Sequence, residues 1–185
     1  MSPRGTEGVP AAPGDGRMAA WIALGANLGD APATLRRARA ALAERAASDG
    51  RVPASSGLWR SAPVDAGGPD FHNAVLVLDT ALAPLDLLDL LQAIEAEHGR
   101  ERPYRNAPRT LDLDLLWHGG AVRLDSPRLI LPHPRLHQRA FVLRPLLELD
   151  PPWALDDGRA VADALVDVAD QRITRTAGAD WMPLA

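Results

Sequence analysis

The stretch Thr110-Leu111-Asp112-Leu113-Asp114-Leu115-Leu116 alternates apolar and acidic side chains along its length. Successive side chains of a β-strand point to opposite faces, so the leucines at alternate positions share one face while Asp112 and Asp114 share the other. The alternation predicts a strand over 110–117 with an apolar face turned to a core. The fold then depends on the elements that lie on either side of this strand.

The elements before this strand alternate between strands and helices. In chain order they are predicted as a strand at 20–24, a helix at 32–47, strands at 52–60 and 70–80, and a helix from Pro84 to Gly99. The last helix has an apolar stripe made of Leu87, Leu88, Leu91 and Ile94. Together with the strand at 110–117 this is the order of the split βαβ unit. We therefore expect an α+β, ferredoxin-like α/β sandwich, with a mainly antiparallel sheet and helices packed on it.

The remainder of the chain is predicted to add smaller elements to this unit. Gly119-Gly120 is typical of a hairpin turn into a strand at 121–124. Helices are predicted at 135–149, despite Pro145 inside that range, and at 161–169.

The first 17 residues are rich in Gly, Pro and Ala and show no apolar periodicity. Such a segment has little apolar surface to bury against the entropy of ordering it. We expect a disordered N-terminal extension over 1–17 and a single domain over 18–185.

Composition excludes several classes of function. The 185 residues carry a net charge of −4, so no overall basic excess draws the chain to nucleic acid. All 20 basic residues are arginine, which excludes Schiff-base lysines and the lysine of a phosphate-binding P-loop. The absence of cysteine excludes disulfides, thiolate nucleophiles and cysteine-bound zinc. The sequence also has no apolar run of membrane-spanning length and no signal-peptide core, and we expect a cytoplasmic protein without a membrane partner.

The acidic face of the strand is a candidate metal site. Asp112 and Asp114 repel each other unless solvent or a shared cation screens them, and hard oxygen ligands suit Mg²⁺ bound to phosphate oxygens. A solvated acidic strand face is the alternative interpretation.

The loop just before the strand favours the metal interpretation. Residues 100–109 include four arginines, and guanidinium groups bind phosphate oxygens in a forked, bidentate manner. A cation held by two carboxylates can neutralise one side of a polyphosphate, and arginines can neutralise the other side. Alone, the arginines would be read as an exposed loop that aids solubility.

Two other segments carry candidate binding residues. Phe71 and Asn73 share a face of the strand at 70–80, where an aromatic ring beside an amide suits a planar, hydrogen-bonding heterocycle. Residues 131–141 add His133, Arg139 and the second of the two phenylalanines, Phe141. Either phenylalanine can equally be a core residue, and His133 a histidine satisfied within a turn.

These segments together resemble the 6-hydroxymethyl-7,8-dihydropterin pyrophosphokinases of folate biosynthesis. The resemblance runs from about residue 21 to residue 151 and is carried by 25–30, 69–74, 95–100, 107–116 and 131–147. It implies a ferredoxin-like fold and transfer of the β,γ-diphosphate of ATP to the pterin hydroxymethyl group, leaving AMP.

The resemblance also implies roles for individual residues. Asp112 and Asp114 are similar to the family's ligands for two Mg²⁺ ions, with ATP as co-substrate. Catalytic roles are implied for Arg100, Arg109, Asp112 and Asp114, and ATP contacts for Glu95, Arg100, Arg109, Leu115, His133 and Arg139. The pterin site is implied at Phe71 and Phe141, which resemble the family's sandwiching pair, at Asn73, and at the backbone around Ser61, Pro63 and Val64.

Two alternative functions remain open from the residues themselves. The same fold supports RNA recognition on an aromatic-bearing sheet, although the acidic pair and the acidic net charge disfavour it. A non-catalytic ATP-binding regulator would keep the site and lack turnover. For the enzyme, we expect small-molecule substrates, no nucleic acid partner and a monomer.

Overall fold

The computed structural model describes residues 16–47, 54–63, 68–99, 108–119, 123–155 and 157–181. Its strands are β1 (Met18–Ala26), β2 (Ala54–Ser55), β3 (Leu58–Ser61), β4 (Phe71–Thr80), β5 (Asp112–His118), β6 (Leu124–Asp125), β7 (Ile130–Leu131) and β8 (Ile173–Ala177). Its α-helices are α1 (Ala31–Arg45), α2 (Pro84–Glu97) and α3 (Ala140–Leu147), and 3-10 helices cover Leu136–Gln138, Val161–Val168 and Ala179–Trp181. The expected disorder of residues 1–17 falls almost wholly outside the described residues.

The main sheet has the strand order β5-β1-β4-β3-β8, and the short β2 pairs with β4. Every pair in this sheet is antiparallel. The order β5-β1-β4-β3 is the one that a split βαβ unit produces, because α1 and α2 each carry the chain to a non-adjacent position. The predicted α+β, ferredoxin-like fold is confirmed.

Both faces of the sheet are covered, and each has its own apolar core. On one face, α1 and α2 pack against side chains that include Ile22 and Leu76. On the other face, α3 and the 3-10 helix Val161–Val168 pack against Trp21 and Val75. A strand buried on both sides needs apolar residues at nearly every position, which explains why β1 and β4 read as almost continuous apolar runs.

Most of the predicted hairpin after Gly119 lies outside the described residues. Residues 120–122 lie outside the described part of the chain, and β6 pairs with β7 in a separate two-stranded sheet. The His133 N–H donates to the Leu116 carbonyl oxygen at 2.8 Å, so the segment after β7 covers β5.

The helix predicted over 135–149 is broken in two. The chain forms a 3-10 turn at Leu136–Gln138, becomes extended at Arg139 (φ −132°, ψ 107°), and enters α3 at Ala140. Pro145 lies inside α3, as expected.

Three further differences concern β2 and β3, the last predicted helix and an additional strand. The strand predicted at 52–60 is interrupted between β2 and β3, where the Ser56 hydroxyl accepts from the Val75 N–H at 2.9 Å. The helix predicted at 161–169 is a 3-10 helix at Val161–Val168. The edge strand β8, which pairs with β3, was not predicted.

Within the described ranges, no helix is both long enough and apolar enough to cross a bilayer.

The close approach of β8 to Gly57 gives a test of this edge. A Cβ atom at position 57 would lie 2.6 Å from the Ala177 carbonyl oxygen and 2.6 Å from the Arg175 side chain. We expect Gly57→Ala to lower the free energy of unfolding by about 1–3 kcal/mol, as overpacking does. Urea denaturation measures this, with Gly25→Ala as the control because its Cβ would meet its nearest neighbour at 3.4 Å. Equal stability of the two variants would contradict the packing of β8.

Candidate active site

The register of three neighbouring strands brings the candidate residues together. On β1, Gly25 lies between Asn73 of β4 and Asp112 of β5, and Ala23 pairs with Asp114. Directly opposed residues of antiparallel strands share a face, so the amide and both carboxylates project from the same side of the sheet. This is the side on which α3 packs.

A cavity lies over this part of the sheet, between the strand ends and the first turn of α3. Its empty volume is about 750 Å³ with the open mouth included. It is lined by Ala23, Leu24, Gly25, Ser61, Ala62, Phe71, Asn73, Arg109, Asp112, Asp114, Arg139, Phe141 and Val142. Eight of the predicted site residues therefore meet at one cavity that can take a small molecule.

One end of the cavity is aromatic. Phe71 reaches it from β4 and Phe141 from α3, so the two rings come from two different walls, the sheet and the helix. Between these walls, the Asn73 side chain is only 4% exposed and donates from Nδ2 to the Ser61 hydroxyl at 3.0 Å. That bond fixes the amide orientation and leaves Oδ1 to accept from a ligand.

Among the residues that the structure describes, the other end of the cavity holds four charged groups that form two ion pairs. Arg109 forms an ion pair with Asp112, and Arg139 lies 3.5 Å from an Asp114 carboxylate oxygen. Burial raises the pKa of Asp114, and the neighbouring charge of Asp112 raises that pKa further. The Asp114 carboxylate therefore depends on nearby positive charge.

The donor set suits a magnesium ion. Within the described ranges no group of three or more His, Cys, Asp or Glu side chains forms a metal cage, so the acidic pair is what a cation would meet. Mg²⁺ is usually bound by one or two carboxylates, with waters and substrate phosphates completing its shell. Two neighbouring carboxylates that line an open cavity fit that description.

His133 lies beside the acidic pair. Its Nδ1 accepts from the Arg135 N–H at 3.2 Å, so the histidine is partly satisfied within its own turn. Burial lowers the pKa of His133, and the negative charge of Asp114 acts in the opposite direction. His133 thus faces the charged end of the cavity without belonging to the lining.

Two predicted site residues have side chains on the far side of the sheet. Leu115 is 2% exposed and packs in the core beneath α1 and α2. Glu95 on α2 is 1% exposed, and its Oε1 accepts from the Leu113 N–H at 2.6 Å. Strand alternation explains the placement of Leu115, which points away from the face that carries the aspartates, whereas Glu95 comes from α2 and reaches a backbone N–H of β5.

Three further predictions concern the loops. Pro63 is described and lies just beyond the lining residue Ala62. Val64 and Arg100 lie outside the described residues, so their predicted roles stay predictions.

Sequence reasoning missed Asn27, a buried residue that anchors Arg109. Its Oδ1 accepts from the Arg109 N–H at 2.7 Å, its own N–H donates to the Arg109 carbonyl oxygen at 3.0 Å, and its Nδ2 donates to the Pro69 carbonyl oxygen at 3.0 Å. Asn27 is 4% exposed. A buried asparagine in a turn-rich loop was the available signal, but its partners lie 42 and 82 residues away.

An aromatic cleft joined on one sheet face to paired carboxylates and guanidinium groups defines an enzyme of the phosphoryl-transfer class on a ferredoxin-like fold. The chain belongs to the family described as 7,8-dihydro-6-hydroxymethylpterin-pyrophosphokinase (HPPK), whose sequence model matches residues 21–151. The family expected from the sequence is confirmed.

Several bacterial relatives named 2-amino-4-hydroxy-6-hydroxymethyldihydropteridine pyrophosphokinase are similar to most of the chain. The relative from Pseudomonas aeruginosa is 47% identical over 160 residues, which cover 86% of this chain and 97% of the relative. The relative from Haemophilus influenzae is 36% identical over 157 residues, covering 84% and 96%. That from Bacillus subtilis is 43% identical over 133 residues, covering 70% and 77%.

A solved structure supports the fold. The wild-type HPPK-DHPS of Plasmodium falciparum with SDX-DHP superposes with a TM-score of 0.64 at 12% identity. The match covers 83% of this chain and 45% of the Plasmodium chain, so this protein spans less than half of that longer one.

The bonds of Asn27 give a test of how the Arg109 backbone is held. Asn27→Ala leaves the part-buried Arg109 N–H without its acceptor, so we expect the free energy of unfolding to fall by about 1–3 kcal/mol. The Arg109 amide should also exchange with deuterium faster. Asn27→Asp keeps the acceptor for Arg109 but loses the donor to Pro69, so it is the control for the exchange measurement. Unchanged exchange at Arg109 in Asn27→Ala would contradict the anchoring role.

Proposed function

We propose that this protein transfers the β,γ-diphosphate of ATP to the hydroxymethyl group of 6-hydroxymethyl-7,8-dihydropterin, giving AMP and the pterin diphosphate. The observation that carries the proposal is the single cavity with an aromatic, amide-bearing end and a doubly charged end. Membership of the pyrophosphokinase family supports the same reaction.

The aromatic end is proposed to bind the pterin. Phe71 and Phe141 would stack on the two faces of the bicyclic ring, and burial between them would exclude water. Asn73 Oδ1, with Ser61 fixing the amide, would accept from the amino edge of the ring. The backbone that continues through Pro63 and Val64 is proposed to read the remainder of that edge.

The charged end is proposed to bind the triphosphate. Asp112 and Asp114 would hold the two Mg²⁺ ions, which when bound neutralise phosphate charge and orient the oxygens. The same carboxylates are paired with Arg109 and Arg139. With a cation on the carboxylates, these guanidinium groups would be available to phosphate oxygens, where bidentate contacts are strong.

The remaining predicted residues are proposed to act around this charged end. Arg100 would add a third guanidinium group, and His133 would contact the nucleotide from beside Asp114. Glu95 would hold the β5 backbone by accepting from Leu113, so that both aspartates keep their direction. Leu115 would reach a nucleotide only through its backbone, since its side chain is in the core.

Catalysis then follows from placing two substrates in one cavity. Diphosphoryl transfer is mainly a matter of in-line positioning and of stabilising charge on the transferred group. The guanidinium groups of Arg109 and Arg139, which pair with the two aspartates, would stabilise charge that develops at the β-phosphorus. The RNA-binding alternative is not favoured, because paired carboxylates occupy the sheet face that a nucleic acid would need.

Small molecules are the expected partners, and the monomeric state and cytoplasmic location stay predictions.

The reaction itself is tested by its products. With ATP, Mg²⁺ and 6-hydroxymethyl-7,8-dihydropterin, we expect AMP and diphosphorylated pterin in equal amounts, measured by chromatography or ³¹P NMR. Omitting the pterin is the control and should stop AMP release. ADP as the nucleotide product would overturn the proposal, and tight RNA binding without turnover would favour a binding module.

The acidic pair is tested by neutral replacements. Asp112→Asn and Asp114→Asn should each slow AMP release by about 100-fold or more, because charge stabilisation of the transferred group is lost. Melting temperature should hold or rise for Asp114→Asn, since its raised pKa means that ionisation at neutral pH costs stability. Asp125→Asn, at an exposed position, is the matched control. Near-normal turnover of either variant at low Mg²⁺ would show that the carboxylates are not ligands.

The aromatic pair is tested by ligand titration. Phe71→Ala and Phe141→Ala should each weaken pterin binding by about 1–3 kcal/mol, by analogy with aromatic stacking on nucleobases, with much less effect on ATP. Isothermal calorimetry measures both ligands on the same variants. Equal losses of affinity for pterin and ATP would indicate that the core has collapsed, and would contradict a stacking role.

A further inference from the structure

The side-chain amide of Gln171 bonds to the backbone on both sides of Arg139. Its Oε1 accepts from the Ala140 N–H at 2.9 Å, and its Nε2 donates to the Gln138 carbonyl oxygen at 2.9 Å. These partners lie 31 and 33 residues away in the sequence, and Gln171 itself is outside the matched range 21–151. The amide therefore spans the one extended residue between the 3-10 turn and α3.

These two bonds satisfy backbone groups that the helix cannot satisfy itself. The first N–H groups of a helix have no partner within it, and Ala140 is the first residue of α3. Arg139 occupies the cap position but makes no side-chain capping bond. Gln171 provides the missing acceptor, so the extended conformation at Arg139 depends on a side chain from another part of the chain.

The conformation of Arg139 decides where its guanidinium group lies. The group is 3.5 Å from an Asp114 oxygen and 5.6 Å from the centre of the Phe141 ring. Arg139 lines the cavity together with both of these neighbours. A change in backbone angles at this residue would swing the guanidinium group away from the charged end.

Gln171 lies between the 3-10 helix Val161–Val168 and β8. Its backbone N–H donates to the carbonyl oxygen of the buried Val168 at 3.1 Å. Two residues further on, Ile173 of β8 pairs with Ser61, the residue that fixes the Asn73 amide. The segment from Gln171 to Ile173 thus connects the amide wall of the cavity with the start of α3.

We propose that Gln171 is a positioning residue for diphosphoryl transfer, and that it acts by holding the backbone of Arg139 so that the guanidinium group faces the transferred phosphates. This inference rests on the proposed function for its effect on catalysis. Its structural part, the fixing of Arg139, stands apart from the reaction and is measured separately.

A double-mutant cycle on kcat tests the catalytic part. Gln171→Met keeps the length of the side chain and removes both hydrogen bonds, and we expect kcat to fall about 10-fold, as small misplacements of a catalytic group do. The pterin KM should change less than kcat. In an Arg139→Met background the same Gln171 substitution should have no further effect on kcat. Gln171→Glu keeps the acceptor for the Ala140 N–H, so its kcat should fall less. Gln92→Met, on the exposed side of α2, is the control.

Arginine side-chain NMR tests the structural part without any turnover. In Gln171→Met the Arg139 Nε–H signal should become more mobile, while the Arg135 signal stays unchanged. An unchanged Arg139 signal would overturn the inference, as would an equal kcat loss in the wild-type and Arg139→Met backgrounds. If Gln171→Met does not fold, the Gln171→Glu comparison decides by the same two criteria. Absence of AMP release from the wild-type enzyme would refute the proposed function, and the NMR comparison would still decide whether Gln171 fixes Arg139.

Discussion

The antiparallel pairing of β1 with β4 on one side and β5 on the other is the constraint on which the site depends. It sets Gly25 between Asn73 and Asp112, so the amide that faces one end of the cavity and the carboxylates that face the other are fixed by the same hydrogen-bonded ladder. A slip of one residue in either pairing would turn the aspartates or the amide into the opposite core. The burial of both sheet faces makes such a slip costly, since apolar side chains would be displaced at the same time.

Two cavity residues outside the sheet, Arg109 and Arg139, are each held through their backbone by one side-chain amide. Asn27 fixes the backbone of Arg109, and Gln171 bonds on both sides of Arg139. These two arginines each form an ion pair with one aspartate of the acidic pair.

The sequence allowed the element order, the acidic pair and most lining residues to be predicted, because these follow from local periodicity and from motifs. The alternation in β5 placed Asp112 and Asp114 on one face, and the same alternation places the side chain of Leu115 in the opposite core. The unbroken helix through Arg139 was wrong, since its break depends on a contact made far along the chain. Asn27, Gln171 and β8 were missed for the same reason: polar side chains and short edge strands show no periodic signal when their partners are distant.

The central claim is that one cavity holds the pterin and the triphosphate in line, with the acidic pair between them. A crystal structure with Mg²⁺, α,β-methylene ATP and 6-hydroxymethyl-7,8-dihydropterin tests it most directly. We expect the pterin ring to lie between Phe71 and Phe141 and metal ions to bind Asp112 and Asp114. The hydroxymethyl oxygen should lie about 3–3.5 Å from the β-phosphorus. A pterin bound elsewhere would contradict this arrangement. So would a triphosphate that turns its γ-phosphorus, and not its β-phosphorus, towards the hydroxyl group.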